Sequence, residues 1–298
     1  MLILNEEKYA ESIYLGKSTD VKSVISMVGY VTRYGLHTLN YSDEENYKHT
    51  AEWMSKHHSN FDESYYSNLI SDAIKRAHKY PFYHMDSIKI TQHELDCIAF
   101  LDNLRAEKIL FVLLCMAKQQ SVAYGFTNGL VKYSITDLCK MARIAVPSDD
   151  REYILYEIVC RGLLGYPKKN NTQCLIVNFI NEDDDTVLTL DELDCQELAY
   201  VYLNWKNNGN GYGRCECCKK IMKKAKKNPK RFCEHCSQIV GDVADDMKVV
   251  LCEDCGQLIY VSILNTKTCR CEACQEEANK ELNKIKCKRY RDSKKTTP

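Results

Sequence analysis

Apolar residues recur at helical spacing through the first 80 residues of this 298-residue chain. One such stripe runs through Tyr66, Ile70 and Ile74, and Pro81 ends the pattern, because proline cannot continue a helix. The pattern predicts four helices, at 5–14, 21–34, 43–56 and 62–80. Stripes of this kind are typical of helix packing, so we expect them to form a core rather than a cofactor site.

A second series of elements is predicted from residue 88 onward. The sequence T-Q-H-E at 91–94 is a capping box, which predicts a helix start at Thr91. The most apolar segment, 107–120, predicts a buried helix, and Ser134 and Ser148 predict the caps of two more. A strand at 173–179 follows a turn, then come a strand at 186–190 and a helix at 191–205. Helices followed by a β-hairpin predict a winged-helix-like unit.

The third helix of a winged helix is the one that enters a DNA groove, and here its first turn is acidic. Asp149, Asp150 and Glu152 lie in that turn, and the predicted wing offers only Lys168 and Lys169. A duplex repels anionic side chains at such a position. We therefore expect this unit to act as a scaffold or to dock a protein.

The stretch N-N-G-N-G-Y-G at 207–213 predicts a linker. The charge changes sign at the same place: residues 214–298 contain 20 Lys+Arg and 12 Asp+Glu, whereas residues 1–213 contain 21 and 29. The expected division is a helical region at 1–87, a winged-helix-like domain at 88–206, the linker, and a basic domain at 214–298.

Four Cys-x-x-Cys pairs stand in the basic domain. Fourteen residues separate the first two pairs and fifteen separate the last two. Each pair places two thiolates on one side of a tight turn, and two pairs complete a tetrahedral site for Zn²⁺. The sequence therefore predicts two structural zinc ions, held by Cys215, Cys218, Cys233 and Cys236 and by Cys252, Cys255, Cys271 and Cys274.

Disulfides, catalytic zinc and a cross-braced site fit these cysteines less well. Disulfides need an oxidising compartment, and the opening MLILNEEKYAES has too few apolar residues for a signal peptide. Catalytic zinc would leave one position open to water. A cross-braced, RING-like pairing keeps its middle ligand pairs two or three residues apart, whereas residues 237–251 intervene here. Cys217 or Cys269 can replace a neighbouring ligand, although the x-x spacing favours the eight named.

The expected fold class follows from these elements. A mainly α N-terminal body with a winged-helix-like unit precedes tandem four-cysteine zinc ribbons, which are small β structures, and a basic helical tail. The alternating residues 258–264 predict a ribbon strand, and residues 275–295 predict an exposed helix.

Lysine and arginine cluster in two segments of the basic domain. The lysine-rich segment (219–231) lies between the first two cysteine pairs without an acidic residue, and the basic tail is K-I-K-C-K-R-Y-R-D-S-K-K at 284–295. Such clusters favour phosphate backbones over base edges, although a solvated lysine loop is the alternative. The predicted nucleic-acid-binding residues are Lys219, Lys220, Lys223, Lys224, Lys226, Lys227, Lys230, Arg231, Lys288, Arg289 and Arg291.

No motif in the chain predicts catalysis. Phosphate-binding, dinucleotide-binding, zinc-protease and nucleophile-elbow motifs are all absent from the sequence. The one histidine of the basic domain, His235, lies inside a cysteine pair, which argues against an HNH-type nuclease. No stretch approaches the roughly 18 apolar residues of a membrane span. We expect a non-catalytic, soluble protein of the cytoplasm.

Several segments carry a resemblance to a known class. They are the opening MLILNEEKY, the helical body, the pattern R-C-E-C-C followed by basic residues and R-F-C-E-H-C, and the tail K-C-K-R-Y-R-D-S-K-K. The layout resembles uncharacterised proteins encoded by phages and mobile elements of low-GC Gram-positive bacteria. The resemblance implies action in the cytoplasm of a bacterial host and implies no particular activity. The second zinc ribbon departs from the simpler pattern of that class.

The sequence supports two alternative functions. The first is a zinc-stabilised protein that binds DNA or RNA with little sequence preference, through the lysine-rich segment and the basic tail. The second is a phage effector that binds and inhibits a host protein of the defence or transcription machinery through the acidic N-terminal body. Replacing the lysines abolishes the first activity and spares the second.

Overall fold

The computed structural model describes residues 2–17, 23–168, 173–224, 231–240, 247–262, 265 and 269–280. About half of these residues are helical, and the strands form small sheets, in agreement with the expected mainly α body. The chain divides into two compact units, Met1–Tyr202 and Leu203–Pro298.

The first unit begins with four helices. Asn5, Ser42 and Asp62 each accept a hydrogen bond from a backbone N–H of the following helix, which satisfies part of its first turn. Buried side chains of all four helices, among them Val28 and Ile70, form one core. The predicted helices are confirmed, with ends that differ by up to three residues. Their bounds are α1 (Glu6–Tyr14), α2 (Val24–His37), α3 (Asp43–His57) and α4 (Glu63–Ala77).

Helix α5 (Gln92–Ala99) begins at the predicted capping box, in which Thr91 and Glu94 exchange hydrogen bonds through side chain and backbone. Helix α6 (Leu104–Tyr124) is longer than the predicted 107–120, because Asn103 caps its start and Gly125 ends it with a φ of 66°. Most of α6 is buried. Among the described residues, no helix combines the length and the apolar character that crossing a bilayer requires.

Two helices and a small sheet follow α6. The elements in chain order are β2 (Leu130–Lys132), α7 (Ile135–Met141), α8 (Ser148–Cys160), β3 (Leu164–Gly165) and β4 (Cys174–Val177). The three strands form an antiparallel sheet with strand order β2-β4-β3. Pro147 occupies the N-cap of α8, so Ser148 is the first helical residue and not the expected cap.

The remaining strands of the first unit are distant in sequence. Strand β1 (Ile88–Thr91) pairs antiparallel with β5 (Thr186–Leu190), and β5 has the predicted bounds. The helix predicted at 191–205 is divided, because the N–H of Asp194 donates to the side chain of Asp191 (2.8 Å) and a 3₁₀ turn forms. Helix α9 (Leu198–Lys206) follows.

The second unit contains two modules of similar construction. The first module (212–240) has strands β6 (Tyr212–Arg214) and β7 (Ile221–Lys223) and helix α10 (Glu234–Val240). The second module (247–280) has strands β8 (Met247–Leu251) and β9 (Leu258–Ser262) and a helix at 272–280. Strand β6 begins inside the segment for which the glycines predict a linker.

Each module therefore combines one hairpin with one helix. A zinc ribbon would place its second cysteine pair on another hairpin, as the sequence predicts, whereas here that pair lies in the first turn of the helix. The physical reason is local: the carbonyls of Cys233 and Cys271 accept from the N–H groups four residues later (2.8 and 2.9 Å), which starts a helical turn.

Candidate metal centres

The first module brings Cys215, Cys218, Cys233 and Cys236 together. Strands β6 and β7 pair antiparallel, and the turn between them carries the first cysteine pair. The second pair lies at the start of α10. The four sulfur atoms lie within 4.8 Å of one another, so this first metal centre can hold one ion.

The second module assembles Cys252, Cys255, Cys271 and Cys274 in the same way. Strands β8 and β9 pair antiparallel on either side of the first cysteine pair. The four sulfur atoms again lie within 4.8 Å of one another and form the second metal centre. The two centres differ in exposure, because Cys255 is exposed whereas every cysteine of the first centre is buried or half-buried.

The backbone repeats the same hydrogen bonds in both modules. The N–H of the first cysteine donates to the carbonyl five residues later (2.9 and 2.7 Å). The sulfur of the first cysteine accepts from the N–H of the third cysteine (3.3 and 3.2 Å). The residue four positions after the first cysteine has a positive φ, 62° at Lys219 and 70° at Gly256. The metal centres are therefore two copies of one local design.

One sulfur–sulfur separation in each centre fits tetrahedral coordination by thiolates. Sγ of Cys218 lies 3.7 Å from Sγ of Cys233, and Sγ of Cys255 lies 3.6 Å from Sγ of Cys271. Four sulfur ligands at about 2.3 Å from one ion require separations of about 3.8 Å. Free thiols in van der Waals contact gain little from such convergence, so a metal ion accounts for it better.

The thiols of the first centre are not equivalent in acidity. Burial raises the pKa of Cys215, but the N–H groups of Cys233, Cys218 and Cys217 outweigh it and lower that pKa to about 7. Burial raises the pKa of Cys218 to about 11. One thiolate thus forms readily near neutral pH, and a metal ion displaces the remaining protons.

The second centre follows the same pattern. The N–H groups of Cys255 and Cys271 lower the pKa of Cys252 to about 6. The thiol of Cys271 raises the pKa of Cys274 by accepting its hydrogen bond. A metal ion therefore meets one prepared thiolate in this module as well.

Two additional thiols lie beside the centres without joining either group. Cys217 is only 3 % exposed and packs against Cys215, Met222 and Cys236. Sγ of Cys269 accepts a hydrogen bond from Nδ2 of Asn265 (3.2 Å). The four-sulfur groups therefore contain the residues that the x-x spacing favours, and Cys217 fills the small core instead.

The predicted nucleic-acid-binding residues fall into three groups. Lys219 and Lys223 are exposed, and Lys220 and Lys224 are half-buried, on or beside the β6–β7 hairpin. Arg231 instead forms an ion pair with Glu216 (2.8 Å). The others lie outside the described residues; they are Lys226, Lys227, Lys230, Lys288, Arg289 and Arg291.

Sequence reasoning missed the role of Arg231, which joins the two cysteine pairs of its module. Its carbonyl accepts from the N–H of Glu216 (3.0 Å), and its guanidinium binds the carboxylate of the same residue. Arg270 and Asp254 form the corresponding ion pair in the second module (2.6 Å). The signal was present, because an arginine lies one or two positions before the third cysteine of each module and its acidic partner lies one or two positions after the first.

Compared with models of known protein families, with curated proteins and with solved structures, the chain matches none.

Proposed function

We propose that the protein is a non-catalytic, zinc-stabilised protein that binds DNA or RNA through the phosphate backbone. Zinc is the metal that this proposal names, because all-thiolate tetrahedral sites favour Zn²⁺ over magnesium or calcium, which take oxygen ligands. Eight thiolates would hold two ions, and coordination of these ions would stabilise the fold of the second unit. We further propose, on the resemblance noted in the sequence, that the protein is the product of a phage or mobile element and acts in a bacterial cytoplasm.

The observation that carries the proposal is a set of four lysines fixed on the β6–β7 hairpin. Within the described part of the chain, Lys219, Lys220, Lys223 and Lys224 form no ion pair with a carboxylate. Cationic side chains that no carboxylate neutralises can neutralise phosphates and release counterions. A metal ion held by the first centre would fix the turn that carries Lys219 and Lys220, and Lys223 and Lys224 lie at the end of β7.

The winged-helix-like domain lies in the first unit, and its side chains favour a role other than nucleic-acid binding. The order α6, β2, α7, α8, β3, β4 and the strand order β2-β4-β3 favour a winged helix. The exposed side chains of α8 include Asp150 and Glu152, which a duplex would repel. We propose that this domain is a winged helix that does not contact nucleic acid.

Fluorescence anisotropy of the zinc-loaded full chain tests the nucleic-acid proposal. Labelled single- and double-stranded DNA and RNA are titrated across a salt series, before and after chelation. We expect zinc-dependent binding whose log–log salt slope reports about 0.9 per duplex phosphate engaged. Absence of binding at low salt by a folded, zinc-loaded protein would overturn the proposal.

A lysine variant and its matched control locate the site. In the lysine variant, Lys219, Lys220, Lys223, Lys224, Lys226 and Lys227 become serine, which should weaken binding and flatten the salt slope by about 0.9 per lost duplex contact. The control removes the same charge from exposed lysines of the first unit and should keep the slope. The control positions are Lys48, Lys56, Lys75, Lys79, Lys132 and Lys140.

The second candidate, an effector that binds a host protein, has one observation in its favour. The exposed side of α8 combines Tyr153 (72 % exposed) and Tyr156 (63 % exposed) with Asp150 and Glu152. Exposed tyrosines are typical of protein-binding surfaces, and the carboxylates beside them would suit a partner with a basic surface. Under this candidate, Tyr153→Ser with Glu152→Lys abolishes the biological activity, whereas the lysine variant retains it.

A further inference from the structure

The first unit contains a cavity of about 580 Å³ that the proposed function does not use. It lies between α2, the C-terminal part of α4 and the end of α6, and residues 80–83 form one side. Its volume falls within the range of small-molecule sites, roughly 300–1,000 Å³. We call it the aromatic cavity, after the side chains that line it.

Five aromatic residues line the aromatic cavity. Tyr30, Phe82 and Tyr83 are half-buried, whereas Tyr80 and Tyr124 are exposed to 62 % and 64 %. Exposed rings that line a concavity stand at its mouth, where a flat ligand can cover them. The hydroxyls inside remain protonated, since burial, and then the Glu6 carboxylate, raises the pKa of both Tyr30 and Tyr83.

The charged side chains that line the cavity carry a net positive charge, which comes from Arg76. Arg33 binds both carboxylate oxygens of Glu6 (2.6 and 2.7 Å) and lies over the Phe82 ring (4.5 Å), so these two charges cancel. Arg76 is exposed, and its Nε donates to the carbonyl of Asp72 (3.3 Å). No carboxylate of the described residues forms an ion pair with Arg76.

Gly29 keeps the space open. It lies inside α2, where glycine is less favourable than every residue except proline, and it lines the cavity. A Cβ at this position would meet no atom within 4 Å. Neither backbone conformation nor packing therefore requires glycine here, and a larger side chain would project into empty volume.

We propose that the aromatic cavity binds a small planar aromatic molecule that carries a negative charge. The ring lies against the tyrosine and phenylalanine side chains, and Arg76 binds the anionic group. A nucleotide and an aromatic carboxylate share this chemistry, and the experiment separates them. The site is independent of the lysine-rich segment.

Isothermal titration calorimetry of the zinc-loaded full chain provides the test. The probes are adenosine 5′-monophosphate, indole-3-carboxylate, neutral adenosine and inorganic phosphate. We expect at least one ring-bearing anion to bind with a Kd of about 10–100 µM, and adenosine and phosphate to bind about tenfold more weakly or worse. Binding of the monophosphate alone identifies a nucleotide site, and binding of the carboxylate alone identifies an aromatic-acid site.

Three variants make the test specific to the cavity. Gly29→Leu should weaken binding about tenfold or more while Tm is unchanged or raised, because leucine favours the helix. Arg76→Gln should reduce the anion's affinity to that of the neutral ring, whereas Lys75→Gln, its neighbour on α4, should change nothing. The lysine variant should also retain binding, which separates this site from the nucleic-acid surface.

Two results would overturn the inference. The first is that neither ring-bearing anion binds at about 1 mM. The second is that an anion binds but both Gly29→Leu and Arg76→Gln keep the full affinity, which would place the ligand elsewhere.

Discussion

Cys217 and Cys218 are adjacent, yet only Cys218 belongs to the first group of four sulfur atoms. We expect Cys218→Ser to leave one zinc ion per chain and Cys217→Ser to keep two. Serine at 218 removes a ligand, whereas serine at 217 changes only a buried packing contact. Zinc content per folded chain, measured by elemental analysis, checks this. A loss of zinc in Cys217→Ser would show that the two thiols exchange roles.

Glu94 and Lys118 form a buried ion pair of 2.8 Å, with side chains 0 % and 7 % exposed. The Glu94 carboxylate also accepts from the N–H groups of Thr91 (2.9 Å) and Asn181 (3.1 Å). We expect Glu94→Gln to lower the free energy of unfolding by about 3–5 kcal/mol, because the Lys118 charge stays buried without its carboxylate. Urea unfolding of the full chain measures the change.

The control for that prediction is the exposed pair of Asp72 and Lys75. Asp72→Asn should leave the urea midpoint unchanged, since water already solvates both groups. Equal effects of Glu94→Gln and Asp72→Asn on stability would contradict the prediction, because the loss of stability would then not depend on the burial of the Glu94–Lys118 pair.

At the scale of elements, two glycines with the same backbone conformation should differ in their tolerance of a side chain. Gly125 and Gly129 have φ values of 66° and 68°. A Cβ at Gly125 meets nothing within 4 Å, whereas one at Gly129 would overlap the carbonyl oxygen of Val177 in β4. We expect Gly125→Ala to cost about 1–2 kcal/mol and Gly129→Ala about 1–3 kcal/mol more. Urea unfolding of both variants checks the order, and a reversed order would contradict it.

Sequence patterns predicted those elements whose signals are local. The capping box at Thr91, the helix starting after Ser134 and the strand Thr186–Leu190 depend on residues a few positions apart, and the structure has all three. The pairing of β1 with β5 links residues about 100 positions apart and has no local signal. The helix of the first module was missed, because cysteine spacing alone is the same on a hairpin and on a helix. The helix of the second module begins at 272, three residues before the predicted 275–295, and the residues of that prediction after 280 lie outside the described part of the chain.

At the scale of the whole molecule, the metal centres and the aromatic cavity differ in how far apart in sequence their residues lie. Each group of four sulfur atoms draws on about 20 consecutive residues, so the cysteine spacing was sufficient to predict which thiols come together. The aromatic cavity draws on residues from Glu6 to Tyr124, and only tertiary packing brings them together. Charge also separates along the chain, with the anionic excess before residue 214 and the cationic excess after it.

The two units should respond differently to removal of the metal. The described core of the first module consists mainly of its own cysteines with Met222 and Phe232, so little apolar contact remains once the ion leaves. The core of the four N-terminal helices contains none of the eight ligands. We expect a chelator to abolish the unfolding transition of residues 203–298 and to leave that of residues 1–202 in place.

Differential scanning calorimetry of the full chain, with and without chelator, measures this directly. Restoring zinc should restore the lost transition, because coordination supplies the folding free energy of each module. The second centre should lose its ion first, since Cys255 is exposed to competing ligands whereas the cysteines of the first centre are buried or half-buried. A single transition that shifts as a whole on chelation would contradict this picture, because the metal would then stabilise both units together.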